Sequence, residues 1–157
     1  MSKKSLERKL GAGVAQITNA VAAAEKTTSA EIAVFVREWT EVGALLGRAA
    51  SPARIRAYAE KLFLKNGLDH TRDRNAVMLY ITLHERIAVV LGDTGIHAQV
   101  EDGAWESVTA AVVAQARKGD IAGGIVAAVA QIGGLLSAHF PLKADDTNEL
   151  PDAPNLG

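Results

Sequence analysis

Cysteine is absent from the chain. Disulfides, thiolate nucleophiles and Cys-ligated zinc are thereby excluded together, and the composition fits a reducing, cytoplasmic compartment. An excess of charge of either sign is also missing, since 17 basic against 18 acidic residues leave a formal net charge of -1. No long-range field draws such a chain to phosphate backbones or anionic lipid, so nucleic acid is not an expected partner. Gly-x-Ser-x-Gly, His-Glu-x-x-His and Walker-type loops do not occur, which argues against common hydrolase, zincin and P-loop chemistry. Gly11-Ala12-Gly13 opens like a dinucleotide fingerprint, but the third glycine is missing and the stretch falls inside a helical pattern. His70, His84, His97 and His139 lack metal-ligand spacing and are expected on the surface or in loops.

Long apolar runs are nearly absent too. Ile121 to Ala138 is the exception, but it is built largely of Ala and Gly and holds Gln131, so a packed core helix is expected rather than membrane insertion. Met1 to Leu10 starts basic and then spends its apolar residues at helical spacing, without the apolar core of an export signal.

What is present suits one globular domain: 157 residues, 48% hydrophobic. A single domain over residues 1–142 is expected, followed by an acidic, solvated tail over 143–157. Leu6, Leu10, Val14, Ile17, Val21 and Ala24 recur at steps of three and four, predicting one helix that stops in Thr27-Thr28-Ser29. Glu31 to Arg37 is apolar on both alternating faces, as in a strand covered on two sides. Trp39 to Ala50 reads as an irregular connection. Ser51-Pro52 starts a second helix, with Ile55, Tyr58, Ala59, Leu62 and Phe63 as its buried stripe and Asn66-Gly67 as its end. Ala76 to Thr82 and Ile87 to Leu91 form a hairpin, and two helical patterns follow, through Trp105, Val108 and Val112 and through Ile121 to Leu136.

This order implies an α/β fold: a small mixed sheet with a β-hairpin and helices on both faces, a Rossmann-like α/β/α sandwich. A right-handed crossover brings the second strand back parallel to the first, and the third strand returns beside it. Thr28, Ser29, Glu31, Thr71, Arg74, Asn75 and Asp93 then converge on one edge. Glu31 and Asp93 supply the hard oxygens that calcium or magnesium prefers. Thr71, Arg74 and Asn75 are the expected binding neighbours, with Arg74 suited to a phosphate or an ion pair. The structural alternative is that Asp93 shapes a turn and that Glu31 caps a helix or pairs with Arg74.

Across nearly the whole chain the same residues carry a family resemblance. They are Ala24-Glu25 with Thr28-Ser29-Ala30-Glu31-Ile32, Thr71-x-x-Arg74-Asn75-Ala76-Val77-x-Leu79, Gly92-Asp93-x-Gly95-Ile96, Trp105, Phe140-Pro141 and Asn148-Glu149-Leu150-Pro151. In order and spacing they resemble TPM domains, in the short stand-alone bacterial form. The resemblance implies a helix-covered mixed sheet, calcium or magnesium binding in some members, acid-phosphatase activity in a plant member, and assembly or repair roles in others. Two functions are therefore expected in order: a divalent-cation module acting on another protein and, as the alternative, a metal-dependent phosphatase.

Overall fold

The computed structural model describes residues 3–39 and 50–157. Residues 40–49, most of the connection expected between Trp39 and Ala50, lie outside the described residues. β1 (Glu31–Arg37), β2 (Ala76–Thr82) and β3 (Ile87–Gly92) form a mixed sheet in the order β1-β2-β3. β1 runs parallel to β2 from Glu31 opposite Ala76 to Arg37 opposite Thr82, and β3 runs antiparallel to β2 with Val77 opposite Gly92. Among the described residues the α-helices are α1 (Lys3–Leu10), α2 (Gly13–Glu25), α3 (Pro52–Lys65), α4 (Thr94–His97), α5 (Glu106–Arg117) and α6 (Ile121–His139).

Alternation along the strands divides the core in two. Ile32, Val34, Val36, Val77, Leu79 and Ile81 face α1, α2, α5 and α6. Ala33, Phe35, Met78, Tyr80, Val89 and Leu91 face the buried stripe of α3, namely Ile55, Ala59, Leu62 and Phe63. α3 begins as its sequence requires, with the Ser51 hydroxyl accepting from the Arg54 N–H and proline in the first turn. It ends where Gly67 adopts a φ of 71°.

The single N-terminal helix expected from the apolar stripe is two helices. Gly11 takes a φ of 53°, a left-handed conformation that closes α1 before α2 starts. The apolar spacing survives the break because both halves face the same layer, so periodicity alone does not reveal it. α6 is long and apolar enough to cross a membrane by length and composition, and here it packs against α2 and α5. Its glycines permit this only in part. A Cβ on Gly124 or Gly133 would lie 2.9 Å from the Cβ of Gln115 or Ala24, whereas Gly134 faces open space.

The C-terminal segment, expected to be solvated, returns to the sheet. The Asn155 N–H donates to the Val34 carbonyl at 2.8 Å, and the Asn155 carbonyl accepts from the Val36 N–H at 3.0 Å. Leu156 is only 4% exposed and joins the core. β1 would otherwise present an unpaired edge, and this strap covers it. Average polarity concealed the point, because two or three apolar anchors among acids suffice to dock a short strap.

Candidate metal centre

The rim is made where β1 and β2 begin and β3 ends. The Asp93 N–H donates to the Ala76 carbonyl at 2.9 Å, extending the ladder so that Glu31, Ala76 and Asp93 lie in one row across the sheet. Neighbouring strands are about 4.8 Å apart, so Glu31 and Asp93 are separated by about 10 Å at the backbone. Their side chains have different partners. Asp93 accepts from Arg74 Nε at 2.8 Å and Nη2 at 3.0 Å, and from the Thr94 N–H at 2.7 Å as the cap of α4. Its side chain is 5% exposed and that of Arg74 50%, which makes a planar, two-pronged ion pair at the surface of the rim.

Asn75 ties this loop to β1. Its Nδ2 donates to the Ser29 carbonyl at 2.9 Å, and its N–H donates to the Thr71 hydroxyl at 3.2 Å. Gly95 allows the approach of α4, for a Cβ there would lie 2.6 Å from the Arg74 carbonyl oxygen. Thr71, Arg74 and Asn75 therefore shape the rim, and the buried Asn75 Oδ1 has no hydrogen-bond partner among the described residues.

Glu31 meets a different acid. Its Oε1 accepts from the Glu149 N–H at 2.9 Å, while Glu25 Oε2 accepts from the Ile32 N–H at 2.9 Å. The two carboxyl groups line the same cavity and influence one another electrostatically, and Asp152 also acts on Glu25. Burial, then the neighbouring Asp152 and Glu31 carboxyls, push the Glu25 carboxyl up to about 10. Glu31 is raised as well, first by burial and further by the negative charges of Glu149 and Asp146. One oxygen of each, Glu25 Oε1 and Glu31 Oε2, is buried without a partner among the described residues. Beside them is a cavity of about 100 Å³ lined by Glu25, Thr28, Glu31, Asp146 and Asn148.

Two neighbouring carboxyls withdrawn from water disfavour ionising together unless positive charge is supplied, as a proton or a cation. The donor set fits a hard ion: carboxylates, a threonine hydroxyl and an asparagine amide carbonyl. Among the described residues no three His, Cys, Asp or Glu side chains converge as a complete ligand set. Calcium and magnesium suit such a partial set, because both accept amide or backbone oxygens and water.

All five residues singled out from the sequence stand at this rim. The arrangement joins Arg74 to Asp93 and Asn75 to Thr71, whereas Glu31 pairs with Glu25 in place of Asp93. Glu25, Asp146, Asn148, Glu149 and Asp152 were missed as site residues. Glu25 carried a usable signal, since it is the last residue of α2, where the helix dipole disfavours an acid. The four histidines are exposed, and the His84 ring stacks on Trp39 at 4.2 Å.

A three-stranded mixed sheet, covered by helices on both faces and carrying a polar rim closed by a C-terminal strap, defines the class of domain. The profile of the TPM domain matches residues 10–135, and the chain belongs to the TPM domain family. Among solved structures it is similar to the NMR structure of the BA42 protein from the psychrophilic bacterium Bizionia argentinensis. The TM-score is 0.76 and the identity 29%, over 92% of this chain and 92% of that one. No curated protein matches.

Proposed function

We propose that this TPM domain is a divalent-cation-binding module, for calcium or magnesium, that acts through another protein. The observation that carries the reading is the pair of neighbouring carboxyls, half-buried Glu25 and buried Glu31, each with a buried, unpartnered oxygen beside a small oxygen-lined cavity. Glu31 is kept from the sequence reading as a ligand, and Glu25 joins it, with Thr28, Asp146 and Asn148 able to complete the set. A bound cation supplies the positive charge that this pair lacks. Asp93 acts one step away, holding Arg74 and capping α4. Leu142, which lines the same cavity and is 53% exposed, gives a partner protein an apolar contact beside the ion.

The phosphatase alternative has less support in the geometry. Both Arg74 nitrogens nearest Asp93 are engaged by its carboxylate, so the guanidinium offered to a phosphate is already neutralised.

Thermal unfolding tests the reading. Millimolar calcium or magnesium should raise the midpoint by several degrees, in proportion to the logarithm of free ion above its dissociation constant. Glu31→Gln should remove that response while leaving the protein folded. An unchanged midpoint for the natural chain with both ions would overturn the proposal.

A further inference from the structure

At the other end of the sheet, where the hairpin turns, lies a cleft of about 730 Å³. Its size falls within the range of about 300 to 1,000 Å³ usual for small-molecule sites. Leu10, Ile81 and Val112 form its apolar floor, and these residues are buried. Its mouth carries Lys9, Arg86 and Arg117, all exposed, against a single acid, Asp120. The Asp120 carboxylate is occupied in accepting from the Gly123 N–H at 3.0 Å as the cap of α6. None of the three cations is paired with a carboxylate among the described residues.

Lys9 and Arg117 sit in the last turns of α1 and α5, where cations are favoured by the helix dipole whatever else they do. Arg86 has no such reason. It occupies the hairpin turn with a φ of 56°, a left-handed position that glycine or asparagine fills with less strain. An apolar floor under an unneutralised cationic mouth complements one kind of molecule, an anionic head on an apolar body. We infer that this cleft binds a small amphiphilic carboxylate, with its chain against Leu10, Ile81 and Val112 and its head between Arg86, Arg117 and Lys9.

The test is an NMR titration of the full chain with sodium decanoate below its micelle concentration, alongside decanol and sodium acetate. Decanoate should give saturable shifts at Arg86, Val112, Arg117 and Ile121, and the two controls should bind at least about tenfold more weakly, the worth of one charge-assisted contact. Arg86→Gly relieves the left-handed strain and so keeps the fold. It should weaken decanoate about tenfold, as should Arg117→Gln. The inference is overturned if decanol binds as well as decanoate, if the Arg86→Gly/Arg117→Gln double variant binds unchanged, or if the shifts fall elsewhere. Preferential association with phosphatidylglycerol vesicles over dispersed decanoate would also overturn it, assigning the cations to a membrane surface instead.

Discussion

Where β1 and β2 begin, the rim carries Glu25, Glu31, Asp93, Asp146 and Asp152, and Glu25, Glu31 and Asp93 are held by backbone N–H groups or by Arg74. Where the hairpin turns, Lys9, Arg86 and Arg117 face an open cleft with an apolar floor. A formal net charge of -1 thus conceals two ends of different character. The ends also differ in how they were built. The basic end is assembled from neighbours in the main helical layer and the hairpin, whereas the acidic end needs a strap from the far end of the chain to close it. Stability should therefore be vulnerable at the acidic end and tolerant at the basic one.

Removing residues 148–157 is the strongest way to break that contrast. The deletion exposes the site of Leu156, unpairs Asn155 from Val34 and Val36, and frees Glu31 from the Glu149 N–H. Burial of one leucine is worth about 2 kcal/mol and each of these three hydrogen bonds about 1 kcal/mol, so a loss of about 5 kcal/mol is expected. Urea unfolding measures it. Native-state hydrogen exchange should show the β1 amides opening before those of the β2–β3 hairpin, and equal loss of protection in both would deny the strap its local role.

A smaller and more specific effect comes from pH. The Glu25 carboxyl has an ordinary value of 4.5 and is raised to about 10 in the folded chain. The folded state therefore binds a proton that the unfolded state releases. Its contribution is fully present below the ordinary value and is lost as pH rises through the folded one, and Glu31, also raised, acts in the same direction. Without added cation, stability should fall from about pH 5 to pH 9, with a slope of at most about 1.4 kcal/mol per pH unit for each proton. Glu25→Gln should flatten that slope and make the protein more stable than the natural chain at alkaline pH. A slope unchanged by the substitution would mean that another group titrates.

How much of this was legible beforehand depended on whether a signal was local. Glu31–Arg37 and Ala76–Thr82 announce themselves as strands because burial on both faces demands unbroken apolar residues, and Ser51-Pro52 marks a helix start by its own hydrogen-bonding chemistry. The rim followed from topology, since a parallel crossover and a hairpin leave little choice about which loops meet. The partner of each rim residue did not follow. Side-chain pairing depends on where a carboxylate leans, and strand order cannot say that Asp93 turns to Arg74 while Glu31 turns to Glu25. The strap was hidden for another reason: Asn155 docks through its backbone, which every residue possesses, so composition gave no warning.

The smallest effect separates the two readings of the acidic end. Asp93→Asn preserves a good helix cap at Thr94 but removes the charge that holds Arg74. Because Arg74 is half-exposed, solvent screens much of the lost attraction, and the cost in urea unfolding should be small beside that of removing the strap. If Glu25 and Glu31 hold the ion, the thermal response to calcium survives this change, since Asp93 stands about 10 Å from Glu31 at the backbone. If the response disappears with Asp93→Asn yet persists in Glu25→Gln, the ion sits between Glu31 and Asp93, and Arg74 must swing away to admit it. The acidic end would then be a switch between ion pair and cation site, and the contrast with the open basic cleft would lie in mobility instead of in charge.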